Sequence, residues 1–510
     1  MGLFKKRGTR KRWLKLTIDL SKKEHRLILA LSSLGVLVVL VGLLIGGIKA
    51  YDYTESSQFC GTTCHVMDPQ YIRYLQSPHA NVDCAQCHIG PGASFFVRSK
   101  IDGLRQVYAT IFDTFHRPIL SPVYNLRPAR ETCETCHSPT TFKDNIVKII
   151  QHYDNDADNT PIETTLILKM GGNQGSLLAD AKITQGIHWH VSSEVYYIAT
   201  DPQRQDMAWV GVRQDDGSMK DFYSPELTGA DLTKFKQEAE AAGQLRLMDC
   251  IDCHNRTAHY IPYPDQAVDQ AIAAGLISRQ IPNIRNRAVE LMSASYDSID
   301  DANAAFDGLL SEYSNTTNGK VASNPSLENV DSFLVAEAVE TLKTIYSQVT
   351  FPEMKTDWTT NPNNERHTPS LGCFRCHNDQ LVADLELSTG SETETVTSEC
   401  NLCHTVPITG RGSELLFEAP VIVGSAPESH KDYSWTITHG SITQDEIQDC
   451  YLCHGQGFCN NGACHNLNHP ADMLFTHDDE YRKVGEQVCY TCHQDITCLK
   501  CHPGGVVDNP

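Results

Sequence analysis

Positive charge is scarce beyond residue 50. Residues 1–50 hold eleven Lys and Arg residues against two acidic ones, Asp19 and Glu24, and so carry a net charge of +9. Because the whole chain carries −21, residues 51–510 carry −30. A body this acidic repels nucleic acid and could steer basic soluble partners toward it, although solubility alone would also explain the charge. We therefore expect no nucleic-acid partner.

Long apolar runs are also scarce, and one segment, residues 27–48, is uncharged over 22 residues. As a helix it would span roughly 33 Å, enough for the hydrocarbon core of a bilayer. The alternative is a signal peptide cleaved near Ala50, but the apolar region of such a peptide is usually about 7–15 residues long. We expect an uncleaved transmembrane helix over 27–48. The basic residues before it place residues 1–26 in the cytoplasm and everything after Lys49 on the other side.

No cysteine stands outside a motif of two cysteines followed directly by histidine, although the chain has 20 Cys and 22 His. The regular C-x-x-C-H spacing occurs eight times, at Cys84, Cys87 and His88; Cys133, Cys136 and His137; Cys250, Cys253 and His254; Cys373, Cys376 and His377; Cys400, Cys403 and His404; Cys450, Cys453 and His454; Cys489, Cys492 and His493; and Cys498, Cys501 and His502. Two motifs are wider, and these are Cys60, Cys64 and His65, and Cys459, Cys464 and His465.

This pattern fits covalent attachment of haem c. Two thiols reach the two vinyl groups of one porphyrin, and the adjacent His becomes the proximal iron ligand. A disulfide framework would not need a His after every second Cys, and zinc knuckles would pair two C-x-x-C units without that His. The sequence therefore predicts about ten covalently attached haem c groups in the periplasm of a bacterium, anchored to the inner membrane.

A second axial ligand is needed on the other face of each iron. Eleven His residues lie after the transmembrane segment and outside the motifs: His79, His116, His152, His188, His190, His259, His367, His430, His439, His469 and His477. We take all but His116 and His152 as distal candidates. Because this supply nearly matches the demand, most irons can be bis-His and low-spin, a state suited to electron transfer rather than to substrate binding.

The segment from Phe59 resembles the NapC/NirT family of membrane-anchored quinol dehydrogenases. Cys60-Gly-Thr-Thr-Cys64-His65-Val-Met67 is similar to the family's first haem motif, and implies Met67 as an iron ligand. Ser77-Pro-His79 and Cys250-Ile-Asp-Cys253-His254-Asn-Arg-Thr-Ala-His259 are similar to the second and fourth sites, and imply His79 and His259 as ligands. Residues 351–377 resemble a block in longer relatives, including the inner-membrane cytochromes of metal-reducing bacteria, and imply His367.

The resemblance also implies menaquinol oxidation near the first haem. A basic and an acidic residue after the second motif would bind the quinol and take its protons, and the best match is Lys100, with Asp102 a weaker one. A Lys can donate a hydrogen bond to a quinone oxygen, and a carboxylate can accept protons. Arg98 and Lys100 could instead contact lipid headgroups.

The fold class we expect is a multihaem cytochrome c, mainly α and irregular with sparse regular structure, with one N-terminal transmembrane helix and a small β-containing insert. The domains would be a NapC/NirT-like tetrahaem domain at 51–265 with the insert at about 140–245, a helical segment at 266–365 and a C-terminal hexahaem domain at 366–510. Gly186-Ile-His188-Trp-His190-Val and the alternating apolar residues to Val212 predict β-strands. His188 and His190 would then share one strand face, so that only one would bind a given iron. Helical periodicity predicts helices over 267–277 and 335–349.

These features together predict a wire that takes electrons from the quinone pool and passes them to periplasmic c-type cytochromes or to a periplasmic reductase. Two other interpretations stay open. A terminal reductase of nitrite or hydroxylamine needs an iron with an open position, whereas no motif here ends in Lys and the histidine supply can saturate nearly every iron. A current in the reverse direction, from periplasmic donors to quinone, depends on haem potentials that the sequence does not give.

The purified protein should contain ten haems per chain, measured as pyridine haemochrome against the protein concentration from amino-acid analysis. Replacing both Cys459 and Cys464 with Ala should lower that ratio by one, because the wider motif would lose both of its thioether bonds. A colourless protein, or one that carries zinc in place of iron, would contradict the assignment.

Overall fold

The computed structural model describes residues 19–89, 93–122, 128–137, 146–171, 186–314, 330–383, 393–404 and 407–412, together with residues 441, 479, 481 and 482. The six motifs from Cys60 to His404 lie within these ranges. The four later motifs lie outside the described residues, and so do the candidate ligands His430, His439, His469 and His477, so their roles stay predictions.

Helix α1, Lys23–Glu55, is 33 residues long, has a mean hydropathy of 2.9 in its most apolar window, and buries none of its residues. It contains the expected segment 27–48, and among the described residues it is the one helix long and apolar enough to cross a membrane. At 1.5 Å per residue it is about 50 Å long, whereas the hydrocarbon core of a bilayer is about 30 Å thick. Its last turns therefore extend past the apolar run toward the first motif.

Further helices follow α1, and three of them carry the first cysteines of the first three motifs. They are α2 (Ser57–Thr62), α3 (Asp68–Leu75), α4 (Cys84–His88), α5 (Ala93–Ile111) and α6 (Ala129–Cys133). Ser56 ends α1 and caps α2, since its hydroxyl accepts a hydrogen bond from the amide of Phe59 at 3.1 Å. The hydroxyl of Ser57 donates to Asp83 at 3.0 Å and accepts from the amide of Cys84 at 3.1 Å. These bonds fasten α2 to the start of α4.

The expected β-containing insert is present as two antiparallel sheets. The first has the strand order β1-β2-β7, and its strands are β1 (Ile146–Tyr153), β2 (Pro161–Leu168) and β7 (Ile408–Arg411). The second has the order β5-β4-β3-β6, and its strands are β3 (Val195–Ala199), β4 (Met207–Arg213), β5 (Met219–Tyr223) and β6 (Arg246–Leu247). Because β7 pairs with β2, the segment after the sixth motif packs onto the insert.

The strand prediction is wrong for the residues before Val195. Residues 186–192 form a turn that leads into helix α7, Trp189–Ser192. Helix α8, Leu232–Ala241, lies between β5 and β6 in the chain. Gly186 has a φ of +91°, which only glycine adopts readily, and the amide of Ile187 donates to the carbonyl of Lys169 at 2.8 Å. This long-range bond fixes a turn where alternating side chains alone would favour a strand.

Four longer helices follow the fourth motif, which itself starts on α9 (Cys250–Cys253). They are α10 (Pro264–Ala273), α11 (Ile284–Ser293), α12 (Ile299–Glu312) and α13 (Ser332–Val349). The predicted helices are thus confirmed, although the first ends at Ala273. Gly275 has a φ of +72°, and the amide of Leu276 donates to the carbonyl of Ala271 at 2.9 Å, which closes the helix end.

The core of this bundle is apolar and is shared with the haem segments. Phe306, Ala338 and Leu342 are fully buried, and the ring of Phe306 packs edge-on against Tyr346 at 5.5 Å between centres. The same cluster includes Val66, which directly follows the first motif. Burial of this apolar surface is the main stabilising term, at roughly 25 cal/mol per Å².

The bundle offers a matched pair of Phe residues for a stability test. Phe306→Ala should lower the free energy of unfolding by about 3–5 kcal/mol, since it removes a fully buried ring and leaves a cavity. Phe333→Ala should change it by less than about 0.5 kcal/mol, because that ring on α13 is 57% exposed. Chemical unfolding followed by circular dichroism gives both values. Equal losses would contradict the packing described here.

Candidate haem-binding sites

In the regular motifs that the structure describes, a single helical turn presents the three attachment residues. The histidine amide donates to the carbonyl of the first cysteine at 2.7 Å for His137, 2.8 Å for His254 and 3.0 Å for His377. Residues i, i+3 and i+4 lie on the same side of such a turn. Both thiols and the imidazole therefore point the same way, as one porphyrin requires.

The wider first motif has a different backbone. Cys60 lies on α2, which ends at Thr62, and a separate 3₁₀ turn covers His65–Met67. The amide of Met67 donates to the carbonyl of Cys64 at 2.9 Å. The additional residue is thus accommodated between two turns, and the half-buried Met67 stays next to the proximal histidine in the chain, so its role as ligand stays a prediction.

Four of the described proximal histidines have a second imidazole facing them. In each case the second ring belongs to one of the distal candidates. The ring centres are 6.2 Å apart for His88 and His259, 5.9 Å for His137 and His79, 5.8 Å for His377 and His190, and 6.2 Å for His404 and His367.

These separations fit one iron between each two rings. An imidazole nitrogen bonds iron at about 2 Å and lies about 1.1 Å from the centre of its own ring, so two imidazoles on one iron would have ring centres about 6.2 Å apart. The pairs also join different motifs, because His259 faces the second motif rather than the fourth, and His79 faces the third rather than the second. No local sequence pattern indicated these pairings.

Two proximal histidines of the described motifs, His65 and His254, are left, and His188 lies near the second of them. Burial first, and then the imidazole of His254, lower the pKa of His188 to about 4. His188 caps α7 and His190 lies within it, so the two side chains are roughly 200° apart around the turn. The expectation that they share a strand face is wrong, and each can serve a different motif.

Backbone carbonyls hold several of these rings in place. The Nδ1 atoms of three histidines are within hydrogen-bond distance of a carbonyl oxygen: His190 with Ile187 at 2.9 Å, His259 with Gln70 at 3.2 Å, and His377 with Thr397 at 2.9 Å. When Nδ1–H donates to a carbonyl, Nε2 carries the lone pair, which is the usual arrangement of a metal-bound histidine.

Burial keeps the distal imidazoles neutral. It lowers the pKa of His259 to about 4, with Arg256 and His88 adding to the effect, and it also lowers the pKa of His79, His88 and His190. A metal needs the lone pair of a neutral imidazole. Among the described residues, Nδ1 of His79 is buried without a hydrogen-bond partner, a cost that a ligand would remove. The residues present therefore fit haem.

Successive described motifs pack against one another. Helix α2 contacts α4, α4 contacts α6 and α6 contacts α9, and the imidazole of His367, just before the fifth motif, lies beside that of His404 in the sixth. A hydrogen bond from the adjoining motif lowers the pKa of Cys84, beside Cys60, to about 6, and lowers that of Cys133, beside Cys250. Partial burial and then the adjoining thiol raise the pKa of three others, which are Cys87 beside Cys133, Cys253 beside Cys373, and Cys403 beside Cys373. The six described motifs therefore adjoin one another in sequence order, starting beside α1.

A buried network joins the fourth and fifth motifs. Asp252, within the fourth, accepts hydrogen bonds from the hydroxyl of Tyr197 at 2.6 Å and from Nη1 of Arg204 at 3.2 Å. Arg375, within the fifth, donates to the carbonyl oxygens of Asp252 at 2.6 Å and of Arg204 at 3.0 Å. Both side chains are buried, and buried charges are tolerated when they are paired in this way. The network fixes the two motifs relative to each other.

The side chain of Lys100, on α5, contacts the C-terminal end of α1. Its ammonium group donates a hydrogen bond to Glu55, and its Nζ is 5.5 Å from the ring centre of Tyr51. Asp102, the weaker candidate, is exposed and lies roughly 200° from Lys100 around α5, so the two side chains do not face the same way. The structure thus brings Lys100 to Glu55, next to the first motif.

Sequence reasoning missed Glu55, Asp252 and Arg375. Asp252 and Arg375 each occupy the second variable position of a C-x-x-C motif, and a charged residue on a turn that haem would cover was a signal for a buried partner. Glu55 follows Tyr51 by one turn beyond the apolar run, but the residue that it contacts is far away in sequence, so no local pattern pointed to it.

Replacing His259 should open one coordination position at the second motif. His259→Ala should convert one low-spin haem to high-spin, visible in the electron paramagnetic resonance spectrum, with the number of haems unchanged because the thioether bonds remain. His116→Ala is the control, since that side chain is exposed and should leave the spectrum as it was. If both variants keep the spectrum of the unmodified protein, the pairing of His88 with His259 is wrong.

Comparison with known proteins identifies the family. The model of the NapC/NirT cytochrome c family, N-terminal region, matches residues 21–119. The cytochrome c-type protein ImcH of Geobacter sulfurreducens is 37% identical over 407 residues, which are 79% of this chain and 75% of that protein. The cytochrome c-type protein NrfH of Wolinella succinogenes is 30% identical over 116 residues, 22% of this chain and 66% of that protein. The cytochrome c nitrite reductase subunit NrfH of Nitratidesulfovibrio vulgaris is 31% identical over 119 residues, which are 23% of this chain and 71% of that protein.

No solved structure matches this chain. The match to ImcH nevertheless spans most of both proteins, and the family model covers α1 together with the first two motifs. Covalent haem c and a part in electron transfer come with this membership. The chain belongs to the NapC/NirT family of membrane-anchored multihaem c-type cytochromes.

Proposed function

We propose that this chain is a decahaem quinol dehydrogenase, which takes electrons from menaquinol at the bacterial inner membrane and passes them to periplasmic acceptors. The observation that supports the proposal is that the six described motifs pack against one another in sequence order. The first four do so through α2, α4, α6 and α9, the fifth is bonded to the fourth through Arg375 and Asp252, and His367 links the fifth to His404 of the sixth. The first motif lies beside the end of α1, so the series begins where a membrane carrier would arrive.

Lys100 and Glu55 are suited to receive the quinol. A lysine ammonium group can donate a hydrogen bond to a quinol oxygen, and a carboxylate can accept the proton that leaves as the quinol is oxidised. These two side chains already contact each other, and the side chain of Glu55 is 18% exposed, so water can take the proton onward. Asp102 stays the second candidate for the proton acceptor.

The paired imidazoles are suited to conduct electrons. Haem supplies the one-electron chemistry, and two axial histidines leave no position for a substrate. Four such pairs, and the nearness of His188 to His254, account for five of the six described motifs. The same arrangement disfavours a terminal nitrite or hydroxylamine reductase, because such an enzyme needs an iron with an open coordination position.

The acceptor would be a basic periplasmic cytochrome or a periplasmic reductase. Residues 51–510 carry −30, and such a charge speeds the encounter with a basic partner. One relative is named as a subunit of cytochrome c nitrite reductase, which supports delivery to a partner enzyme. The basic residues before α1 favour a cytoplasmic N-terminus and a periplasmic haem domain.

Lys100→Gln should slow haem reduction by a menaquinol analogue at least about tenfold in proteoliposomes, because the hydrogen-bond donor to the quinol oxygen is lost. Glu55→Gln should have a similar effect through the lost proton acceptor. Haem reduction is followed at the α band, and dithionite gives the total reducible haem, which should not change.

Lys234→Gln is the matched control, since Lys234 is an exposed lysine on α8 and should leave the rate unchanged. A Lys100→Gln variant that is reduced by the quinol as fast as the unmodified protein would rule out this quinol site.

A further inference from the structure

Helix α5 carries large apolar side chains that face outward. Val97, Ile101, Leu104, Tyr108 and Ile111, with Phe112 just after the helix, are each between 57% and 73% exposed. At 100° per residue these six positions fall within an arc of about 100°, along a stripe of about 22 Å. A helix at the surface of a water-soluble body normally turns such a stripe toward the core.

The other side of α5 carries small and polar residues in place of large apolar ones. Ser99, Gly103 and Thr110 are half-buried, and they lie on the side of the helix away from Leu104. The helix is therefore amphipathic with its apolar face turned outward, where an external apolar medium can cover it.

Cations border the apolar stripe. Arg98 and Arg105 lie just beyond one edge of the arc, and Lys100 lies just beyond the other. With Asp102 the helix carries a net charge of +2 in a body that carries −30. A positive helix of this kind is complementary to anionic phosphates, and basic side chains at the border of an apolar stripe are typical of helices that lie in a membrane interface.

The position of α5 next to the membrane helix identifies what covers the stripe. Lys100 contacts both Glu55 and Tyr51, which lie in the last two turns of α1 beyond the apolar run. Because α1 leaves the bilayer at this end, α5 is held at the level of the lipid headgroups.

We propose that α5 lies along the membrane surface, with its apolar stripe among the acyl chains and with Arg98 and Arg105 among the lipid phosphates. The chain then contacts the bilayer twice, through α1 across it and through α5 in its plane. This contact is independent of the direction of electron flow and of the quinol site.

Photo-labelling tests the contact on the complete, haem-loaded chain. The protein is placed in nanodiscs of phosphatidylethanolamine and phosphatidylglycerol that contain a phospholipid with a diazirine in its acyl chain, and labelled peptides are mapped by mass spectrometry after irradiation. Peptides covering 101–117 should be labelled at least tenfold more than those of α8, with α1 as the positive control. Labelling of α5 no higher than that of α8 would overturn the proposal.

Two single variants on opposite sides of α5 sharpen the test. Leu104→Glu places a charge in the stripe and should lower the labelling of α5 at least fivefold, while that of α1 stays the same. Gln106→Glu places the same charge on the other side and should change it less than twofold. Haem absorbance checks that each variant is folded, and the result for the unmodified protein decides the question if Leu104→Glu fails to load haem. Protein cross-links between the α5 helices of two copies, in place of lipid labelling, would show that a second copy covers the stripe and would also overturn the proposal.

Discussion

Imidazoles from distant parts of the chain lie in pairs at a separation that would fit one iron between them, and much of the described fold serves to bring them together. In the regular motifs that the structure describes, the proximal histidine lies on a helical turn next to its cysteines. The facing histidine comes from elsewhere, as His259 does for the second motif and His190 for the fifth. Backbone carbonyls then hold the rings through Nδ1. The insert, the loop after α9 and the first helices are thereby tied together.

Local patterns were enough to predict much of this molecule. The apolar run predicted α1, the helical periodicities predicted α10 and α13, and the cysteine spacing identified every described motif. In each case neighbouring residues determine the structure. The segment around His188 was wrongly predicted to be a strand, because the hydrogen bond between Ile187 and Lys169 fixes a turn despite the alternating pattern. The histidine pairs were beyond prediction for the same reason, since packing and not local sequence brings each pair together.

The second variable position of C-x-x-C has a structural use in the fourth and fifth motifs. It holds Asp252 in the fourth and Arg375 in the fifth, and both belong to the network with Arg204 and Tyr197. Such a network in a low-dielectric interior resists rearrangement, because separating its charges would leave them without partners. Two haems attached there would keep a constant separation and orientation, which electron transfer between them requires. The motif spacing alone gives no sign of this second role.

The crossing of the histidine pairs has a consequence for biogenesis. If the chain after α1 is exported in sequence order, the second motif emerges long before His259, whereas His79, His190 and His367 emerge before the motifs that they face. Haem attached at His88 would then wait with one face open, and haem at the other three sites would find a second imidazole already exported. Of these four sites, the one at His88 would depend most on protection by the attachment machinery.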